Sequence, residues 1–100
     1  MDERVYGPPD DAMDIGGGCK ISLKQFEGET GGLDWWHPRK DNGAWCKGWV
    51  EFKGSKWAVQ FGADTGWNVV QREPLTLTPS LLCRVCGTHG HITAGKWVPA

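Results

Sequence analysis

Nine residues near the carboxyl end, CRVCGTHGH from Cys83 to His91, restrict this chain more than any other stretch. Two cysteines separated by two residues can turn both sulfurs toward one point. Gly87, directly after the second, can take the left-handed backbone that such a turn needs without a Cβ clash. Thiolates in this spacing suit Zn2+, which binds sulfur at about 2.3 Å and in structural sites takes four ligands. His89 and His91 are the next donors along the chain, and in an extended segment both point to the same side. The spacing therefore predicts a site of Cys83, Cys86, His89 and His91 holding one structural zinc ion. Four ligands within nine residues leave little chain to wrap a tetrahedron. A remote ligand is the rival arrangement: His37 or Cys46 first, Cys19 next. It would stabilise more, because it closes a longer loop. The bland alternative is a pair of ordinary thiols in a turn beside two surface histidines. A redox CxxC is disfavoured, since such a motif usually opens a helix and glycine-rich sequence follows Cys86.

A tie of this kind matters in a chain of 100 residues. A domain of that size has a small core, and the cost of ordering the chain nearly cancels its gain. Seven tryptophans stand against one tyrosine and three phenylalanines, so indole rings must supply much of that core. Trp57 and Trp97, in otherwise apolar alternating segments, are the expected core indoles.

Periodicity predicts strands. CKISLKQF from Cys19 alternates loosely, and WCKGWVEF from Trp45 does so more clearly. In the second, Trp45, Lys47, Trp49 and Glu51 share one face, with Cys46, Gly48, Val50 and Phe52 on the other. WAVQF from Trp57 reads as its hairpin partner across a KGS turn, and WNVVQ from Trp67 as a further strand. Leu75 and Leu77 alternate with threonines, and HITAGKWV reads as a closing hairpin turning at Gly95. Trp35–Trp36–His37, next to Pro38, reads as loop or edge. No run supports a helix of three turns. The expected fold is mainly β: a small antiparallel sheet or sandwich with a zinc-knuckle-like turn near the C-terminus. Residues 1–17, punctuated by prolines and glycines, read as a flexible arm and residues 18–100 as a single domain.

Formal net charge is −1, unevenly spread: residues 1–17 carry −4 and residues 18–100 carry +3. The body is too weakly basic to name a nucleic-acid partner from charge alone. No stretch is apolar and long enough to cross a membrane, and the acidic start lacks the parts of a signal peptide. A cytoplasmic, reducing setting is expected, with the four cysteines as thiols or metal ligands.

Residues 72–98, REPLTLTPSLLCRVCGTHGHITAGKWV, resemble a family of small domains from bacteria and their phages. Pro79–Ser80, Cys86, His89 and the Gly95–Lys96–Trp97 hairpin carry the likeness, with His37–Pro38 and WCKGWVEF as its weaker front half. The resemblance covers about two thirds of the chain and implies a small metal-binding β domain of a cytoplasm, that of the host cell where the source is a phage. It implies Cys86 and His89 as ligands. It sets an aromatic residue more often where His91 stands, which favours a remote ligand.

The leading functional expectation is a non-enzymatic accessory protein, zinc-stabilised, that presents a protein-interaction surface. A second is a single-stranded nucleic-acid module in which Trp45 and Trp49 stack bases while Lys47 and Lys53 meet phosphates. A third is a metal-dependent hydrolase. Ser80 and His89 invite it, yet no nucleophile elbow surrounds Ser80, and nothing fixes Asp64 or Glu73 beside the cluster.

Overall fold

Alternation of apolar and polar side chains organises the first half of the molecule into long antiparallel strands. The computed structural model describes residues 7–39, 42–62 and 66–100. β1 (Met13–Gly16), β2 (Cys19–Phe26), β3 (Glu29–Pro38) and β4 (Trp45–Glu51) form one sheet in that order, all antiparallel. A short helix, α1 (Lys56–Gln60), follows. β5 (Asn68–Arg72) pairs with β6 (Leu75–Thr78), and β7 (Leu81–Leu82), β8 (His89–Thr93) and β9 (Lys96–Pro99) make a three-stranded sheet. The fold is mainly β with antiparallel sheets, as expected. Contacts of β6 with β8 and of β1 with β9 bring the sheets together. Among the described residues no helix is long and apolar enough to cross a membrane.

Several segments differ from expectation, each for an identifiable reason. Trp35–Trp36–His37 is neither loop nor edge but part of β3, flanked by β2 and β4. Pro38, which lacks a ladder donor, stands at its last position. Residues 45–52 do not form a hairpin with 57–61: β4 pairs with β3, and Lys56–Gln60 is helical. The alternation of Trp57, Val59 and Phe61 suggests a strand, but the Ser55 hydroxyl accepts the Ala58 N–H at 3.1 Å and caps a helix start. Only Ala58 of that helix is buried. Residues 13–16, assigned to the arm, pair with β2 because Ile15 belongs to the core, 2% exposed. The first six residues of the arm lie outside the described residues.

The core gathers Ile21, Leu33, Trp35 and Val50 from the first sheet with Leu77, Leu81, Ile92 and Trp97. Gly90 is required there. A Cβ on it would meet the Trp97 ring and the Val98 carbonyl at 2.6 Å each. Trp57 is half-buried in a satellite cluster, with ring centres 5.5 Å from Phe26, 4.4 Å from Phe61 and 5.5 Å from Trp49.

Candidate metal centre

The site begins with a cross-strand pair. Odd residues of β3 (Leu33, Trp35, His37) face the core, and the register sets His37 directly opposite Cys46 of β4. Directly opposed residues have Cβ atoms about 5 Å apart, so imidazole and thiol leave the sheet side by side. The connection between the strands is closed by Arg39 N–H to the Ala44 carbonyl at 2.8 Å.

The other half comes from the turn after β7. Leu81 faces the core, and alternation brings Cys83 to the same side, 8% exposed. Cys83 N–H donates to the Thr88 carbonyl and Gly87 N–H to the Cys83 carbonyl, both at 2.8 Å. Gly87 closes the turn with φ +79°. Cys86 Sγ lies 3.2 Å from the Thr88 hydroxyl.

Together these place four donors, from His37, Cys46, Cys83 and Cys86, within 4.8 Å of one another. Cys46 and Cys83 sulfurs are 3.5 Å apart, and no cysteine is in a disulfide. Sulfurs bound tetrahedrally at about 2.3 Å would be about 3.8 Å apart, close to that spacing. His37 is 0% exposed, and neither ring nitrogen has a hydrogen-bond partner. A buried polar atom left unsatisfied costs about 1–3 kcal/mol; a cation among these donors would satisfy one. Trp35 lies against the His37 ring, centres 4.1 Å apart, and Trp97 against Trp35 at 5.1 Å.

The electrostatics agree with a ligand role. Burial pushes the His37 pKa down, the Trp35 backbone partly offsetting it, so the imidazole is neutral and able to coordinate. Burial and the neighbouring Cys83 and Cys86 push the Cys46 thiol up to about 12. For Cys86 burial acts upward but is outweighed by hydrogen bonds, from Thr88 first, and its pKa is lowered. Cys86 thus gives up its proton more easily than an ordinary thiol, and Cys46 resists adding charge beside it. A divalent cation reverses that resistance. The four residues are compatible with a metal site.

The structure brings Cys83 and Cys86 together with both His37 and Cys46, which the sequence offered as alternative single ligands. His89 and His91 are outside this group. They share the face of β8 opposite Gly90 and Ile92, away from Cys83, and His89 Nε2 instead meets Ser80 Oγ at 2.9 Å. Cys19 is buried in the core, also outside the group. The sequence did carry a signal for Cys46: it shares the Val50–Phe52 face. His37 carries no such strand signal, because adjacent tryptophans and Pro38 obscure the alternation of β3.

Trp45, Lys47 and Trp49 lie on the outer face of β4, as their alternation predicts, and Trp36 joins them from β3. Lys47 sits 5.5 Å over the Trp36 ring and 3.8 Å from the Asp34 carboxylate, which Lys24 also approaches at 3.5 Å. Lys53 lies beyond the strand, beside a separate polar cleft with Arg72 and Glu29.

In comparisons with known proteins, no family model, curated protein or solved structure matches this chain. The likeness drawn on residues 72–98 rests on those residues alone.

Proposed function

We propose that His37, Cys46, Cys83 and Cys86 hold one structural Zn2+, and that the chain is a non-enzymatic accessory protein whose ion fixes a protein-interaction surface. The supporting observation is the fully buried His37, both nitrogens unpartnered, gathered with three thiols inside 4.8 Å. Three sulfurs and one imidazole match zinc's preference for four soft or borderline donors. Four protein ligands leave no position for a reactive water, which favours a structural role over a hydrolytic one. In this reading Cys83–Gly87 is the knuckle, Thr88 steadies Cys86, and Trp35 holds the imidazole plane. The ion ties the β3–β4 hairpin to the turn after β7, joining Cys46 and Cys83 across a sequence separation of 37. Free thiols suit a reducing cytoplasm. Exposed Leu82 and Val85 border the knuckle and give it an apolar rim for a protein partner. Elemental analysis of untagged, reduced protein is the test. About one zinc per chain is expected, and folded protein without metal would overturn the reading.

A second reading is the single-stranded nucleic-acid module, favoured by Trp36, Trp45 and Trp49 on one sheet face. Charge weighs against it. On that face Lys20, Lys24 and Lys47 are balanced by Asp14, Asp34 and Glu51, and polyanion affinity grows with uncompensated cations. Titration with a short oligodeoxythymidine over a salt series separates the readings: no binding at low salt removes this one.

A further inference from the structure

β4 and β7 are both edge strands. The Glu51 carbonyl accepts the Trp67 N–H at 2.9 Å, while Phe52 N–H points to Gly31 on β3. Odd residues of β4 therefore direct their main-chain groups away from β3. Before Glu51 that outer edge has no backbone partner among the described residues, so the N–H and C=O of Lys47 and Trp49 are open. Across from it, Cys83 N–H points to Thr88 beside β8, so the main-chain groups of Leu82 face away from β8. Between the two edges runs a groove of about 290 Å³, walled by Trp49, Trp67, Leu81, Leu82 and Val85. Leu82 is 51% exposed and Val85 67%, beside an open backbone edge.

The groove's charge selects its occupant. Lys47 and Arg84 line it, and no acidic residue does. Arg84 has no ion-pair partner among the described residues, and Asp34 is shared between two lysines. A second copy pairing edge to edge would bring like cations together, which opposes self-association. An acidic segment would be drawn in.

We propose that this groove takes an extended peptide that alternates apolar and acidic residues, added as a strand to the free edge of β4. This names the partner class for the interaction surface proposed above and rests on that reading, because Arg84 and Val85 are held between Cys83 and Cys86. Strand addition draws affinity from main-chain hydrogen bonds and specificity from alternate side chains. Because side chains alternate between faces, the carboxylates lie on the outer face with Lys47, Arg84 lining the same groove, while the apolar side chains turn to the face of Val50 and Leu81.

The probe is a capped hexapeptide alternating valine with glutamate, added to zinc-loaded full-length protein and followed by amide hydrogen exchange with NMR detection. At saturation, exchange at the Lys47 and Trp49 amides is expected to slow about tenfold or more. Arg84→Glu is expected to weaken binding about fivefold, a typical value for a rim charge, with zinc content unchanged. The same peptide N-methylated at alternate residues should not bind. Equal binding by the N-methylated peptide or by a valine–lysine peptide overturns the inference. So does protection of the same amides by oligodeoxythymidine, concentration-dependent protection without peptide (a second copy), or binding seen only after residues 1–6 are removed (the chain's own acidic start). Zinc measured on the same sample separates the two claims: zinc without peptide binding sinks this inference alone, and peptide binding without zinc sinks the metal reading alone.

Discussion

The two ends of β3 are held by different means. At its C-terminal end His37 and Cys46 lie with Cys83 and Cys86 around a common point, with polar atoms that find no partner in the protein itself. At its N-terminal end Gly31 lies under Trp57, and α1 is fastened by indole and phenyl rings and by the buried Ser55 hydroxyl. The first end offers donors that an ion would satisfy. The second is complete, since its rings satisfy one another by contact. A small domain with little core can be finished by rings where they fit, and by ligand atoms where the chain's halves must be joined over a distance.

Removing the added component should break the comparison most visibly. Chelation, or Cys46→Ser, should cost about 4 kcal/mol or more and lower the melting temperature by about 20 °C or more. A thermal melt paired with metal analysis checks this. Cys86→Ser should behave alike, while Cys19→Ser, outside the group, should keep the metal and lose only about 1–2 kcal/mol; indistinguishable melts would erase the difference between these cysteines.

Acid should strain the same end. His37 has a folded pKa below its ordinary 6.5, so the unfolded chain binds the proton first. Stability is present above that value and declines as pH falls through 6.5 toward the depressed value. Coordination acts in the same direction, because protons compete for the ligands. Melts between pH 7.5 and 5 should fall steadily, and zinc should be released over that range. A flat profile would mean that His37 carries no such load.

The aromatic end should respond without touching the metal. Trp57→Ala should cost about 2–3 kcal/mol, below the range for a fully buried tryptophan, with zinc still at one per chain. Ser55→Ala should cost about 1 kcal/mol through loss of the helix cap. Smallest of all, His89→Ala should change stability by less than about 0.5 kcal/mol and leave zinc in place. Loss of zinc in that variant would shift the ligand set toward the C-terminal histidines.

Much of the β architecture was legible in the sequence, and the reason is local. β2, β6 and the β8–β9 hairpin announce themselves through alternation and through the Ala94–Gly95 turn. The paired cysteines declared half the candidate centre. The other half depended on the register of β3 with β4 and on that hairpin meeting a turn far along the chain. Cys46 already lay on the core face of its strand, but aiming His37 required seeing that two tryptophans and a proline end a central strand. Two consecutive indoles read as surface because alternation buries only one of them: Trp35 faces the core and Trp36 faces outward. Helix α1 was hidden because five residues are too few for a 3.6-residue period to outvote alternation.

The direct opposition of His37 and Cys46 has a last consequence. Side chains change faces with every step along a strand. A one-residue slip of β4 against β3 would turn Cys46 to the outer surface while His37 stayed inside, and the centre would lose a ligand. Any ion gripping all four groups therefore proofreads the alignment of these two strands, rejecting misaligned hairpins by failing to bind them.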